Sequence, residues 1–148
     1  MRLSKIYYLL PPILCLIGCS GEGKGGHEVI VNLPDSGEVL GSSILLEDSI
    51  NPRRDETSSW ELTLDERSEL LKFFGRAKRM LSPGEVLKWE GSGNLTFTTV
   101  KKEFWRIGLF LVGDKLIFKV VYPAGEYNYF EAQESAASFT EKLKRLFG

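Results

Sequence analysis

The sequence predicts an α+β domain: an antiparallel sheet, laid out as a meander, with two helices packed on one of its faces. Three observations carry this. Runs of alternating apolar residues recur between 86 and 131, joined by connections too short for parallel crossovers. Two other segments, near 64–81 and 135–147, repeat apolar residues at three- and four-residue spacing instead. The 148-residue chain is 43% hydrophobic and 26% charged, which suits one globular domain.

Glu28–Leu33 is β-branched and apolar and reads as a strand. Pro34-Asp35-Ser36-Gly37 is a turn, with Pro fixing φ and Asp able to close on its own backbone. Glu38–Leu40 and Ser43–Glu47 are short strands, with a bend or bulge at Gly41. Asp48–Ser59 is poor in apolar residues and reads as an exposed loop, in which Asp55 and Glu56 neutralise Arg53 and Arg54. Trp60 and Leu62 close a strand that leads into the first helix.

Thr63-Leu64-Asp65-Glu66 fits a capping box. The stripe Leu70, Phe74, Ala77, Leu81 predicts a helix running to about Leu81, stopped by Ser82-Pro83-Gly84. Acids early and bases late complement the helix dipole. Gly75 within it costs about 1 kcal/mol relative to alanine.

Strands follow at Val86–Glu90, Leu95–Val100, Glu103–Val112, Lys115–Tyr122 and Glu126–Glu131. Gly91-Ser92-Gly93-Asn94, Lys101-Lys102, Gly113-Asp114 and Pro123-Ala124-Gly125 turn the chain between them. Alternation puts Trp105, Ile107, Leu109 and Leu111 on one face, and separates Tyr127 and Tyr129 from Asn128 and Phe130. The last helix runs from about Ser135 to Phe147, with Phe139, Leu143 and Leu146 on its buried side.

The amino terminus has a different chemistry. Arg2 and Lys5 precede Ile6–Ile17, an apolar run broken only by polar atoms of Tyr7 and Tyr8 and by Pro11 and Pro12. Twelve helical residues reach roughly 18 Å, short of a bilayer core of about 30 Å. A basic start and a short apolar run form the secretion-signal pattern. The run ends in Leu16-Ile17-Gly18-Cys19, which resembles the lipobox of bacterial lipoproteins. The resemblance implies cleavage between Gly18 and Cys19 and lipid attachment, diacylglycerol with palmitate-type chains, to the Cys19 thiol. It implies a protein of the cell envelope held to the membrane by that lipid. In a bacterium with two membranes, Ser20 rather than Asp after Cys19 implies the periplasmic leaflet of the outer membrane; otherwise the outer face of the cell membrane is implied.

The organisation expected is therefore a signal peptide over 1–18, a lipidated cysteine and flexible tether over 19–26, and one domain over 27–148. Four glycines among Ser20–Gly26 make the tether flexible. Removing 1–18 leaves 130 residues, enough to bury a core without metal or disulfide. The pattern of capped helix, meander with a Tyr-rich last strand and closing helix is similar to small uncharacterised domains of exported bacterial lipoproteins; no residue roles come with it.

Charge and chemistry narrow the function classes. The mature chain has 17 basic residues against 20 acidic, scattered among one another, which argues against nucleic-acid binding. Cys15 leaves with the signal and Cys19 is claimed by lipid, so neither a disulfide, a thiol nucleophile nor a zinc cluster is expected. His27 is the only histidine and sits at the tether junction, and no nucleophile elbow or phosphate loop is present. Gly91-Ser92-Gly93 leads into a strand rather than a helix. Glu47/Asp48 and Asp65/Glu66 are adjacent acids of the type glycosidases use, explained more simply by solubility and capping. No catalytic residue, metal ligand or cofactor is expected.

The aromatic set Trp105, Tyr122, Tyr127, Tyr129 and Phe130 is core material for strands or, if a face lies open, a surface for a protein, sugar or peptide. Trp105, Tyr127 and Tyr129 are the candidate binding residues. The expected function is a non-enzymatic binding or accessory module of the envelope, with an envelope protein as the partner. The alternatives are a structural subunit of an envelope assembly, and a hydrolase or inhibitor acting on envelope polymer.

Overall fold

A computed structural model describes residues 27–53, 58–80 and 91–148. The strands are β1 (Glu28–Ile30), β2 (Val39–Leu46), β3 (Ser59–Glu61), β4 (Arg76–Arg79), β5 (Gly93–Thr99), β6 (Phe104–Val112), β7 (Lys115–Val121) and β8 (Tyr127–Ser135). The helices are α1 (Leu64–Phe74) and α2 (Ala136–Phe147). All eight strands form one antiparallel sheet in the order β1-β4-β8-β7-β6-β5-β2-β3. The chain is an α+β domain, and β5 to β8 are the consecutive meander that the short turns dictate.

Antiparallel pairing sets what shares each end of the sheet. β1, β8, β6 and β2 run one way and their neighbours run the other. The start of β2, the β5–β6 hairpin and the β7–β8 turn therefore lie at one end, called lower below, while the start of β1 is level with Phe110 through the pairings of Glu28 with Lys78, Lys78 with Glu131, Glu131 with Ile117 and Ile117 with Phe110. The tight β6–β7 turn at Gly113-Asp114, where Gly113 has φ 59°, lies at the upper end.

Strand alternation builds the core on one face. Ile44, Leu46, Leu95, Phe97, Ile107, Leu109, Leu116, Phe118 and Val120 point inward and are fully or almost fully buried. Leu70 and Phe74 of α1 and Phe139 and Leu143 of α2 close over them. The Phe74 ring centroid lies 4.8 Å from Phe118 and 5.8 Å from Phe139, both edge-to-face. Both helices thus cover the same face. On their exposed side, Glu69 Oε2 accepts from Arg145 Nη2 at 2.9 Å and lies 4.0 Å from Lys142 Nζ, joining α1 to α2.

Helix ends follow local chemistry. The Thr63 amide donates to Glu66 Oε2 at 2.8 Å and the Glu66 amide to Thr63 Oγ1 at 3.3 Å, completing the capping box. Ser135 caps α2 by accepting from the Ser138 amide. α1, however, ends at Phe74 with Gly75 as its cap, not at Leu81. Arg76–Arg79 is instead a strand inserted between β1 and β8, and Ala77 reaches the core opposite Val29 and Ala132. Gly75 therefore ends the helix rather than weakening its middle, and its carbonyl accepts from the Val31 amide. The ladder on both sides of Arg76–Arg79 outweighs the helical propensity of those four residues.

Other boundaries shift by less. β1 ends at Ile30, beyond which Val31 is buried as irregular chain. The two short strands around Gly41 are one strand, β2, with a register shift between Val39 and Gly41. β8 extends past Glu131 to Ser135. The 48–59 loop is less exposed than its composition suggests, since Ile50 and Asn51 are buried. Arg53 is half-buried and engaged rather than free: its guanidinium lies 4.7 Å from the Trp60 ring centroid and Nε donates to the Phe147 carbonyl at 3.3 Å. It closes the carboxyl end of α2, where a cation complements the helix dipole. The signal, Gly18, Cys19, the tether, Arg54, the Ser82-Pro83-Gly84 stop and the Val86–Glu90 strand lie outside the described residues.

Candidate functional site

β8 begins farther down the sheet than β4 ends. Arg79, the last residue of β4, pairs with Phe130. Tyr127–Tyr129 therefore has β7 on one side and, among the described residues, no strand on the other. Two adjoining grooves, of about 550 Å³ and 420 Å³, wrap this free edge. Asn32, Tyr122 and Asn128 line both. The first adds Tyr127, Tyr129 and Phe130, and the second adds Trp105, Glu103 and Glu126. All five aromatic residues singled out from the sequence meet here.

They do not meet on one face. Tyr127 and Tyr129 stand on the side away from both helices, where Tyr127 is 56% exposed. Their rings are perpendicular, with centroids 5.8 Å apart. Lys119, opposite Tyr129 on β7, places its ammonium 4.2 Å from the Tyr127 ring centroid and 5.6 Å from that of Tyr129. This cation over two π-faces fixes the pair and leaves a positive rim. Burial pushes the Tyr129 phenol above its ordinary pKa, and neighbouring Tyr127 adds to the shift.

Trp105 lies on the opposite, helix-facing side and is buried at 7% exposure. Its ring meets Tyr122 edge-on at 5.5 Å, and its Nε1 is buried without a hydrogen-bond partner. Trp105 is therefore a groove wall set in the core, not an open contact residue like Tyr127. Asn128 links the two sides by donating from Nδ2 to the Tyr122 hydroxyl at 3.4 Å. The combination of flat aromatic surface, side-chain amides and two carboxylates suits contact with a polar ligand that carries apolar faces.

Asn32, Glu103, Glu126 and Asn128 were not singled out in the sequence. Asn128 carries a local signal, as a polar residue alternating with Tyr127 and Tyr129. Asn32 carries none, because it belongs to irregular chain past the end of β1 and lies about a hundred positions from the β8 residues whose grooves it lines.

A larger groove, about 830 Å³, lies elsewhere, between α1, α2 and the β4–β8 edge. Both of its acids are already engaged: Glu134 Oε2 accepts from the Ser138 hydroxyl at 2.7 Å, and the hydrogen bond from Arg145 holds the Glu69 carboxyl below the usual carboxylate range, against a smaller desolvation effect. A carboxylate tied to two cations serves packing of the helices rather than proton transfer. Glu66 of the Asp65/Glu66 pair is consumed by the capping box. Glu47 and Asp48 are exposed, as is His27. Ser92 accepts from the Leu111 amide at 3.4 Å and so belongs to the sheet. Among the described residues, no cluster of metal-ligating side chains occurs and no helix is long and apolar enough to cross a membrane. No family model, curated protein or solved structure matches this chain.

Proposed function

We propose that this chain is a lipoprotein of the bacterial cell envelope, tethered through Cys19, whose domain acts as a non-enzymatic binding module. The grooves around the start of β8 are its recognition surface, and an envelope protein is the partner. One observation supports this above the rest: five aromatic side chains from β6, β8 and the turn after β7 converge on the start of β8, where Tyr127–Tyr129 has no strand on one side among the described residues. Aromatic rings beside an open strand edge offer both side-chain anchors and main-chain pairing to an extended segment. Ile30, 85% exposed on edge strand β1, adds an apolar contact beside the same groove.

The test is gentle crosslinking of cells followed by purification of the full chain from detergent-solubilised membranes. The wild type retains a defined envelope protein, and Tyr127→Ala/Tyr129→Ala loses it while keeping the same thermal midpoint. Recovery of the same species with both tyrosines removed would sink the assignment. The anchor is tested apart: Cys19→Ala accumulates as uncleaved precursor without lipid, and processing to the wild-type form removes that part of the reading.

A further inference from the structure

The geometry points to a saccharide site in the second groove, the one that holds Trp105 at the lower end of the sheet. It rests on the reading of these grooves as a recognition surface, and gives the second a ligand distinct from the protein held at Tyr127 and Tyr129. The ligand class is a neutral sugar, with one ring seated among Glu103, Trp105, Tyr122, Glu126 and Asn128. At about 420 Å³ the groove falls within the range of small-molecule sites, about 300–1,000 Å³.

Local structure sets the lining in place before any ligand arrives. The Tyr122 amide donates to the Glu126 carbonyl at 2.8 Å and the Gly125 amide to the Tyr122 carbonyl at 2.9 Å, closing the turn between β7 and β8. Gly125 has φ 93° there, a conformation that side chains resist. On the other wall, buried Thr99 pins the backbone of Glu103. The Glu103 amide donates to Thr99 Oγ1 at 3.2 Å, and the Thr99 amide donates to the Glu103 carbonyl at 3.0 Å. Asn128 Nδ2 donates to the Tyr122 hydroxyl at 3.4 Å, which leaves that hydroxyl's own proton for another acceptor. Groups held in this way lose little freedom when a ligand binds.

The donors and acceptors select the ligand. Glu103 and Glu126 are exposed, and among the described residues neither stands in an ion pair. No Lys, Arg or His lines this groove among the described residues, so a phosphate or carboxylate ligand would meet two like charges unopposed. Ionised carboxylates only accept, so the ligand must donate several hydrogen bonds. Trp105 makes the opposite demand. It is 7% exposed, lines the same groove, and keeps an indole Nε1–H with no acceptor. An ammonium or guanidinium would satisfy the carboxylates but has no lone pair for the indole. A sugar answers both demands, because its hydroxyls donate to Glu103 and Glu126 while a hydroxyl or acetamido oxygen accepts from Trp105. Its C–H faces pack on half-buried Tyr122 and on the exposed rim of Pro123 and Ala124.

The experiment uses the full processed chain in micelles of a detergent without a sugar headgroup. Calorimetric titration with N,N′,N″-triacetylchitotriose, a neutral trisaccharide, should show saturable binding. Glu103→Ala/Glu126→Ala should weaken it about ten-fold or more, with an unchanged thermal midpoint because both side chains are exposed. Trp105→Phe, which keeps a ring and removes the donor, should weaken it several-fold. Tyr127→Ala/Tyr129→Ala should leave the sugar affinity within about two-fold while losing the protein partner, so the two ligands report separately. A wild-type chain that retains its envelope protein but does not bind the trisaccharide overturns the sugar site and leaves the recognition surface standing. Unchanged sugar affinity in the Glu103/Glu126 variant overturns the placement in this groove. Saturable binding of the blocked tripeptide glycyl-lysyl-glycine, lost in that variant, with none of the trisaccharide, overturns the sugar in favour of a basic peptide. Retention of the envelope protein without Tyr127 and Tyr129 sinks the protein assignment whatever the sugar does.

Discussion

The two faces of the sheet are built from the same strands and answer to different demands. Phe118 and Lys119 are neighbours on β7. Phe118 is fully buried between Phe74 and Phe130, with ring centroids at 4.8 and 5.4 Å. Lys119 lies on the other side over Tyr127. The covered face is mostly apolar, with Ser42 and Thr99 buried among its hydrophobic side chains, and is held by close packing. The open face mixes Tyr127, Tyr129 and Phe110 with Lys119, a Lys115–Glu131 pair at 4.0 Å and a Ser43–Thr96 hydroxyl contact at 2.6 Å. Stability is thus concentrated on one side, and side chains that can be changed without unfolding the domain lie on the other.

Substitutions sharpen or break that contrast. Phe118→Ala should cost about 3–5 kcal/mol in chemical denaturation, a large share of a typical domain's stability of about 5–15 kcal/mol. Lys119→Ala, one residue away, should cost no more than about 1 kcal/mol. Similar losses at both positions would show that the open face also bears on folding. Next is Gly93→Ala at the junction of β2 and β5. An added Cβ would lie 2.6 Å from the Leu45 carbonyl oxygen, a backbone atom that cannot swing aside. A loss of about 1–3 kcal/mol is expected, read as a shift in the urea midpoint. Thr63→Ala removes half of the capping box and should cost about 1 kcal/mol; an unchanged midpoint would mean that packing alone sets the start of α1.

The smallest effect concerns pH. Glu69 titrates below the ordinary carboxylate range when folded, chiefly through its hydrogen bond from Arg145. Its contribution is therefore present above the unfolded-state pKa and is lost as pH falls through the lower, folded value. Glu69→Gln should narrow the difference between the denaturation midpoints measured at neutral pH and in the acid range. An identical pH profile in the variant would show that the Glu69–Arg145 contact adds nothing to stability.

The meander was legible in the sequence because its causes are local. Alternation assigns Leu116, Phe118 and Val120 to one face, and Gly113-Asp114 closes its hairpin without help from the rest of the chain. Arg76–Arg79 was not legible. Its residues favour a helix, and Leu70, Phe74 and Ala77 keep helical spacing across Gly75; only the ladders with β1 and β8 make it a strand. The candidate site divides in the same way. Period-two alternation groups Tyr127 with Tyr129, but their openness depends on which face the helices choose. Trp105 shows the limit from the other side, since its strand faces the core and only one wall of it meets the groove. The approach of Asn32 to β8 depends on a return of the chain that no local pattern encodes.

Among the described residues, the sheet ends on both sides in strands of three residues, β1 and β3. Under the membrane-tethered reading proposed above, this has a consequence for crowding. Anchored neighbours meet in two dimensions, with edges presented repeatedly in similar orientations. A long free edge under those conditions would template strand exchange from copy to copy. With three residues at each border, a chance pairing gains too few ladder bonds to persist. Under that reading, many copies could share a small area of membrane without pairing edge to edge.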